Sequence, residues 1–577
     1  MRRNRGLQVL LLAVVAVGLL TQFTDWPPWA VIVGGVSLAV GALVLVPGRA
    51  GHAAEVTVGR VPALAPAFQP RTGVQAEMTK AREAGNDVVL HGTGGTGTTQ
   101  LAAAVAHEAT GSGADLVVWV DAAAPASVVT AFALAAYQVD APGVTGTDVS
   151  VDARALVAWL EETDRRWLVV FDGVTDLASL DGWRPGNRTE SGWVVATTTA
   201  PVTGAQPERW TRVEVGPFTA AEAHEYLTDC KLVDDDAADL VAELGHLPLA
   251  LHRAVSYLRA ERVACGDYLQ RWIDRRKTVV DPAEAAVLLA VDAAHRYRPT
   301  GRTLPALRMA AVLDPAGQPV AVWANAALVG FLTGGEPGNA ATGIRAATVL
   351  HRYGLVDHDR RLGAWAVRMH PDTAHAVRKN LPADVRDDAA RAAADAVLDT
   401  WPDDDAYPRY AVHVQVLRAN AVFLARLDGD PLWRPEPHEL LWRAGIALER
   451  AGLSAAAIEY WQHLVDTGER LHGPRHRATL IAVGRLAASQ GDAGDTTAAV
   501  ATHERVVAGL AELDGPGHPQ TLDATERLAV AYLADGRGDD AVALLEQVLQ
   551  VRTATLGPDH ADTAATAERL AEWTRDR

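Results

Sequence analysis

The sequence predicts a multidomain chain: an N-terminal two-helix transmembrane hairpin, an α/β domain built on a parallel sheet, a helical module, and an all-α solenoid at the C-terminus. Three observations predict it. Two apolar runs without a charge open the chain, strand-length apolar runs alternate with helix-length stretches around a glycine-rich loop, and the last third repeats itself.

Met1-Arg-Arg-Asn-Arg5 is basic, Gly6 to Leu20 is apolar apart from Gln8, and Ala30 to Val46 is apolar throughout. A helix needs roughly 17–25 apolar residues to cross a bilayer core. The second run meets that length, and the first meets it if it extends to Thr24. Between them a proline-broken turn carries Trp26 and Trp29, where interfacial aromatics belong. Arginines 2, 3 and 5 before the pair, and 49 and 60 after it, put both flanks on the cytoplasmic side. The expected location is the cell membrane, multi-pass with two spans, the bulk of the chain cytoplasmic. Residues 51–67, rich in Ala and Pro, read as a linker.

The α/β reading centres on Val88-Val89-Leu90-His91-Gly92-Thr93-Gly94-Gly95-Thr96-Gly97-Thr98-Thr99-Gln100-Leu101. An apolar strand enters a glycine-rich turn that opens into a good helix former. That is the setting of a phosphate-binding loop, whose successive N–H groups make an anion nest at a helix N-terminus. The spacing is G-x-x-x-x-G-K-[ST] with Gly92, Gly97 and Thr99 in place, but Thr98 stands where the pattern asks for lysine. Further strands are predicted at 114–120, at 165–172 ending in Asp172, and at 192–199 ending in three threonines, with helices at 125–137 and 151–163. Strands alternating with helices give a parallel sheet covered on both faces, with ligands at the C-terminal strand ends.

Composition bounds the partners. The net charge of −18 leaves no basic face for nucleic acid, so no nucleic-acid partner is expected. Cys230 and Cys265 are the only cysteines, too few for a disulfide framework, and suit a reducing compartment.

From Thr219 to about Leu258 the pattern is helical and contains Gly245-His-Leu-Pro248-Leu-Ala. Residues 284–380 predict a small helical domain closing on Val367-Arg-Met-His370-Pro-Asp, a pattern that suits a winged helix. Beyond it, Gly473-Pro-Arg-His476, Gly515-Pro-Gly-His518 and Gly557-Pro-Asp-His560 recur every 42 residues, with two amphipathic helices between them. A helix-pair repeat of this length means an α-solenoid. One histidine per repeat makes no tetrahedral metal site, and a capping or inter-repeat hydrogen bond is expected instead.

Taken in order, these landmarks resemble the NB-ARC branch of the STAND signalling NTPases, and the C-terminal third resembles the 42-residue tetratricopeptide repeats (TPRs) of kinesin light chain. Phe68 to Arg71 looks like that family's F-x-G-R, His91 to Ala102 its phosphate loop, Leu168–Asp172 its Walker B strand, Ala196–Thr199 its T-T-R sensor, Gly245–Ala250 its G-L-P-L-A, and Met369-His370 its winged-helix histidine motif. The resemblance covers roughly 62–577; with the hairpin at 1–50 and the linker at 51–67 the expected boundaries are 68–218 (P-loop NTPase), 219–283 (helical), 284–382 (winged-helix-like) and 383–577 (TPR solenoid). It implies ADP or ATP with Mg²⁺ as cofactor. Arg71, Gly92, Gly94, Gly95, Thr96, Gly97, Thr98, Thr99, Gln100, Pro248 and His370 would line the nucleotide, and Thr99 and Asp172 would hold Mg²⁺. It also implies a protein or peptide ligand on the repeats and homo-oligomerisation on activation.

The departures from the family pattern carry their own expectation. Thr98 replaces the phosphate-bridging lysine, and Thr199 stands where the sensor arginine would be. A charge-assisted hydrogen bond contributes about 1.5–3 kcal/mol, so losing the lysine should weaken binding roughly ten- to a hundredfold. Losing both cations removes the groups that neutralise transition-state charge, and efficient hydrolysis is not expected. The function so read is a membrane-anchored, STAND-like switch that binds nucleotide weakly or as a pseudo-NTPase. The alternative is a non-enzymatic TPR scaffold with a relic nucleotide domain.

Overall fold

Runs of Val, Leu, Trp and Phe build a parallel sheet, and a computed structural model shows how they pair. It describes residues 55–575 except 124, 147, 187–190, 201–209, 280–281, 298–300 and 404–410. Six strands form one parallel sheet: β1 (Val56–Val58), β2 (Asp87–His91), β3 (Leu116–Asp121), β4 (Trp167–Asp172), β5 (Gly192–Thr198) and β6 (Trp210–Glu214), in the order β1-β3-β4-β5-β2-β6. Side chains alternate between the two faces, as the pleat requires. Val89, Val118, Val169, Phe171 and Val194 enter one buried layer; Val88, Leu90, Trp119, Val170 and Val195 enter the other. Both faces are covered, which is how a parallel sheet buries its near-continuous apolar strands. Helices α1 (Thr72–Glu83) and α2 (Thr98–Gly111) supply one cover, and α3 (Pro125–Gln138) and α4 (Val149–Glu162) the other.

Two strands depart from the sequence reading. Val56–Val58, read as part of a linker, is the edge strand β1, and Trp210–Glu214 is the opposite edge. Both are short and mix polar with apolar residues, so neither carries a buried-strand pattern of its own.

Four helices follow the sheet: α5 (Ala220–Asp229), α6 (Ala237–Glu243), α7 (Pro248–Glu261) and α8 (Cys265–Arg276). Thr219 and Glu222 form a reciprocal capping box at α5, and Pro248 begins α7, where its missing N–H costs no hydrogen bond. Next come α9 (Pro282–Arg296), α10 (Thr303–Val312), α11 (Val320–Ala324), α12 (Ala326–Thr333) and α13 (Ala340–Arg352). A two-stranded antiparallel hairpin, β7 (Asp357–His358) with β8 (Val367–Arg368), leads into α14 (Pro371–Lys379). Cys230 and Cys265 are buried free thiols.

The remaining helices run α15 (Ala383–Asp399), α16 (Ala411–Ala425), α17 (Glu439–Arg450), α18 (Ser454–His472), α19 (Arg477–Asp492), α20 (Thr496–Asp514), α21 (Pro519–Ala534), α22 (Gly538–Leu556) and α23 (Ala561–Arg575). From α17 onward each packs on the next, which is a solenoid. The recurring histidines are N-caps. Nδ1 of His476, His518 and His560 accepts the backbone N–H of Ala478, Gln520 and Asp562, each at 3.3 Å, and His438 does the same for Leu440 at 3.1 Å.

The expected membrane location requires a correction. Among the described residues no helix is long and apolar enough to cross a membrane. The apolar runs at 6–20 and 30–46, on which two spans and a membrane partner were expected, lie outside the described residues.

Candidate nucleotide cleft

The glycine-rich loop joins β2 to α2. Gly95 and Gly97 have φ of +83° and +98°, a region open to glycine, and this turns the chain so that α2 starts at Thr98. Thr96 closes the turn by donating from Oγ1 to Thr93 O at 2.9 Å. Thr98 is buried at the helix start, so its short side chain cannot reach out as a lysine would.

Sheet order sets the next layer. β5 lies between β2 and β4, with Leu90 opposite Thr197 and Phe171 opposite Ala196. The end of β5 therefore falls beside the end of β4. Thr197 Oγ1 donates to Asp172 Oδ1 at 2.6 Å, and Thr99 Oγ1 donates to the same oxygen at 2.7 Å. Thr198 is turned away, donating to Val174 O at 2.6 Å, and Thr199 is exposed. Asp172 Oδ2 takes no hydrogen bond from a described residue. Burial raises the Asp172 pKa, and the two hydroxyls and the charge of Arg368 oppose that rise. Asp121, in register with Asp172 at the end of β3, is also raised by burial. Asp121 is exposed and Asp172 half-buried, yet burial is the largest cause raising both pKa values.

The opposite wall is the β8–α14 corner. His370 caps α14, its Nδ1 accepting the Asp372 N–H at 3.2 Å. Burial, then the charge of Arg253, lowers the His370 pKa to about 4, so the ring is neutral at pH 7. With Nδ1 accepting, the proton sits on Nε2, which makes the ring a donor on its other side. Its side chain is 38% exposed. Asp372 sits against the loop itself, since a Cβ added to Gly94 would lie 2.1 Å from Asp372 Oδ2.

At the other end of the loop is a cavity of about 60 Å³, lined among others by Phe68, Arg71, Gly97, Phe218, Tyr226 and Pro248, with Thr96 and Gln100 on the same wall. Arg71 is 8% exposed and has φ +58°. Its Nε meets Glu222 Oε1 at 3.1 Å, Nη2 donates to Gly216 O and Pro217 O, and the guanidinium lies over the Phe218 ring. Nη1 is buried without a partner. A buried donor left unpaired costs about 1–3 kcal/mol, and the residue that carries it lines the cavity. Gln100 is committed to structure: Oε1 accepts the Ala65 N–H at 2.6 Å. Leu249 N–H donates to Gly95 O at 3.1 Å, which ties α7 to the loop beside Pro248.

Chain order could not supply every residue here. Phe218, Tyr226, Asp121 and Arg368 belong to none of the expected site residues. Asp121 alone had a local signal, an acid ending a strand as Asp172 does.

The tetratricopeptide repeat family model matches residues 520–577. That segment is a tetratricopeptide repeat. A 206-residue stretch is 24% identical to a nucleotide-binding leucine-rich repeat (NLR)-like protein of Hyaloscypha variabilis, covering 32% of this chain and 21% of that protein. The chain thus spans about a fifth of the curated relative it matches. Among solved structures, the kinesin light chain nearly identical TPR-like repeats of Podosopora anserina are 26% identical over 29% of this chain and 81% of theirs, with a TM-score of 0.26. A Signal Transduction ATPase with Numerous Domains (STAND) protein with a tetratricopeptide repeat sensor, from Pyrococcus horikoshii, is 13% identical over 89% of this chain and 78% of its own, with a TM-score of 0.41.

Proposed function

We propose that this protein is a STAND-type signalling switch that holds an adenine nucleotide between its α/β domain and a winged-helix module formed by α10–α14 and the β7–β8 hairpin. The TPR solenoid is its partner-sensing arm. One set of contacts supports the reading: the loop residues Thr96 and Gly97 line the cavity at Arg71, Thr99 at the start of α2 donates to Asp172, and Gly94 lies against Asp372, two residues from His370.

Each part has a chemical role. The Arg71 Nη1 donor and the Phe218 and Tyr226 rings offer a base its polar edge and its faces. The loop amides offer donors to phosphate. Asp172 Oδ2 and the Thr99 hydroxyl suit Mg²⁺, which takes one or two protein oxygens and completes its shell with phosphate and water. The neutral His370 offers an Nε2–H donor to a phosphate oxygen from the facing wall. With Thr98 at the lysine position and no arginine at Thr199, the loop retains the groups that bind and lacks those that drive turnover. The switch therefore signals by occupancy and domain closure. Nucleotide release on opening would free the surfaces that oligomerise.

Gentle purification followed by chromatography of the released small molecules tests this. Bound ADP or ATP, with stabilisation by millimolar ADP and Mg²⁺ in a thermal-shift assay, is the expected result. No bound nucleotide and no shift would replace the switch with the scaffold.

A further inference from the structure

The cleft that would take a phosphate chain is lined with acid. Asp121 and Asp172 end neighbouring strands in register, and the charge of Asp121 acts on Asp314, which follows α10. A polyphosphate entering this field needs positive charge, and the loop has none at Thr98.

We propose that Arg368, on β8, is the cation that meets the nucleotide phosphates in place of the lysine absent at Thr98. It would supply charge across the cleft from the winged-helix side. This rests on the nucleotide reading above.

The geometry points to Arg368 in three ways. First, β8 runs directly into the corner whose Asp372 carboxylate lies against Gly94, so Arg368 is carried on the segment pressed to the loop. Second, alternation orients it. Val367 and Met369 are buried, 1% and 3% exposed, whereas Arg368 and His370 fall on the opposite side, partly exposed. Third, its guanidinium is uncommitted. Among the described residues it makes no hydrogen bond or ion pair, yet its charge acts on Asp121, Asp172, Asp314 and His370. Nearby arginines are engaged: Arg253 donates to Thr373 Oγ1, and Arg60 Nη1 donates to Trp365 O at 2.5 Å.

The consequence is regulatory. A lysine in the loop would grip phosphate whether or not the winged helix is docked. Arg368 can do so only when its module lies over the cleft. A ligand shifts a conformational equilibrium by its differential affinity for the two states. Moving the cation from the loop to the module makes nearly all of its binding contribution differential. Opening by a partner on the repeats would then release nucleotide directly.

The test uses the full chain with ADP and MgCl₂, reading Kd by calorimetry and melting temperature without ligand. R368Q should weaken ADP about ten- to a hundredfold, as expected for one lost charge-assisted contact. R368K should stay near wild type. T98K should improve ADP affinity more in the R368Q background than in wild type, because one cation then substitutes for the other. Wild-type affinity in R368Q, or equal losses in R368Q and R368K, would overturn the assignment and leave the nucleotide reading intact. No ADP binding by any variant, wild type included, would remove both.

Discussion

The Asp372 carboxylate rests on Gly94: a methyl group at that glycine would lie 2.1 Å from Oδ2, well inside van der Waals contact. This brings the α14 N-terminus and the glycine-rich loop, 278 residues apart in sequence, to one point. The contact needs a glycine for room and not for backbone conformation.

Gly94→Ala should therefore push the corner off the loop. Overpacking of this kind costs roughly 1–3 kcal/mol, and the low end applies because Asp372 is half exposed and can turn away. Hydrogen exchange should rise across 367–373 in G94A and return toward wild type in G94A/D372A, which removes the carboxylate. Unchanged exchange in G94A would mean that the contact does not hold the module closed.

Asp314 gives a pH signature. Burial, and the charge of Asp121, push its pKa up to about 7, while Oδ1 accepts the Ala316 N–H at 3.0 Å. The folded state then holds a proton that the unfolded chain releases near pH 4. Between about pH 4 and 7 the folded state binds more protons, so stability falls as pH rises through that window and levels off above it. The amount is at most about 4 kcal/mol. Asp314→Asn keeps the acceptor and cannot ionise. Urea denaturation at pH 5 and pH 8 should show a smaller loss in D314N than in wild type, and equal losses would place the titrating group elsewhere.

What the sequence disclosed and what it withheld divide along a physical line. The loop, Asp172, the Thr197 hydroxyl and the 42-residue repeat are local patterns, readable because strand, turn and helix preferences act over a few residues. The strand order is set by non-local pairing, so nothing near β1 or β6 announced that these short, mixed segments close the sheet. The cavity around Arg71 draws Phe218 and Tyr226 from more than 140 residues away. Arg368 lies inside the Val367-Arg-Met-His370 pattern with no role of its own there, and only the alternation along β8 separates it from the buried Val367 and Met369. The membrane location rested on composition in a segment outside the described residues, and the described helices lend it nothing.

The sequence left the repeat histidines as capping or inter-repeat hydrogen-bond groups, and the structure makes them N-caps. As N-caps they satisfy an N–H that the helix cannot, a contribution of about 0.5–2 kcal/mol each. His518→Ala should speed exchange in the first turn of α21, and His518→Asn, which keeps an acceptor, should restore most of the protection. A chelator should change neither. Loss of protection on chelation in wild type would return the histidines to a metal role.

Asp172 separates a binding role from a structural one. Its charge is disfavoured where it stands, since burial raises its pKa, yet Thr99 and Thr197 both donate to Oδ1 and no described residue donates to Oδ2. A carboxyl group placed where burial disfavours its ionised form adds nothing to stability there. Asp172→Asn retains an oxygen for the two hydroxyls and removes the charge. D172N should therefore melt slightly higher than wild type without ligand at pH 8, because it removes a carboxyl group whose ionised form burial disfavours. It should also lose the Mg²⁺ dependence of ADP affinity, because the cation loses its protein carboxylate. The two effects have opposite signs, as expected where a site carries strain for function. A variant that melts lower and keeps its Mg²⁺ response would mean that Asp172 braces the sheet and that the cation is held by other oxygens.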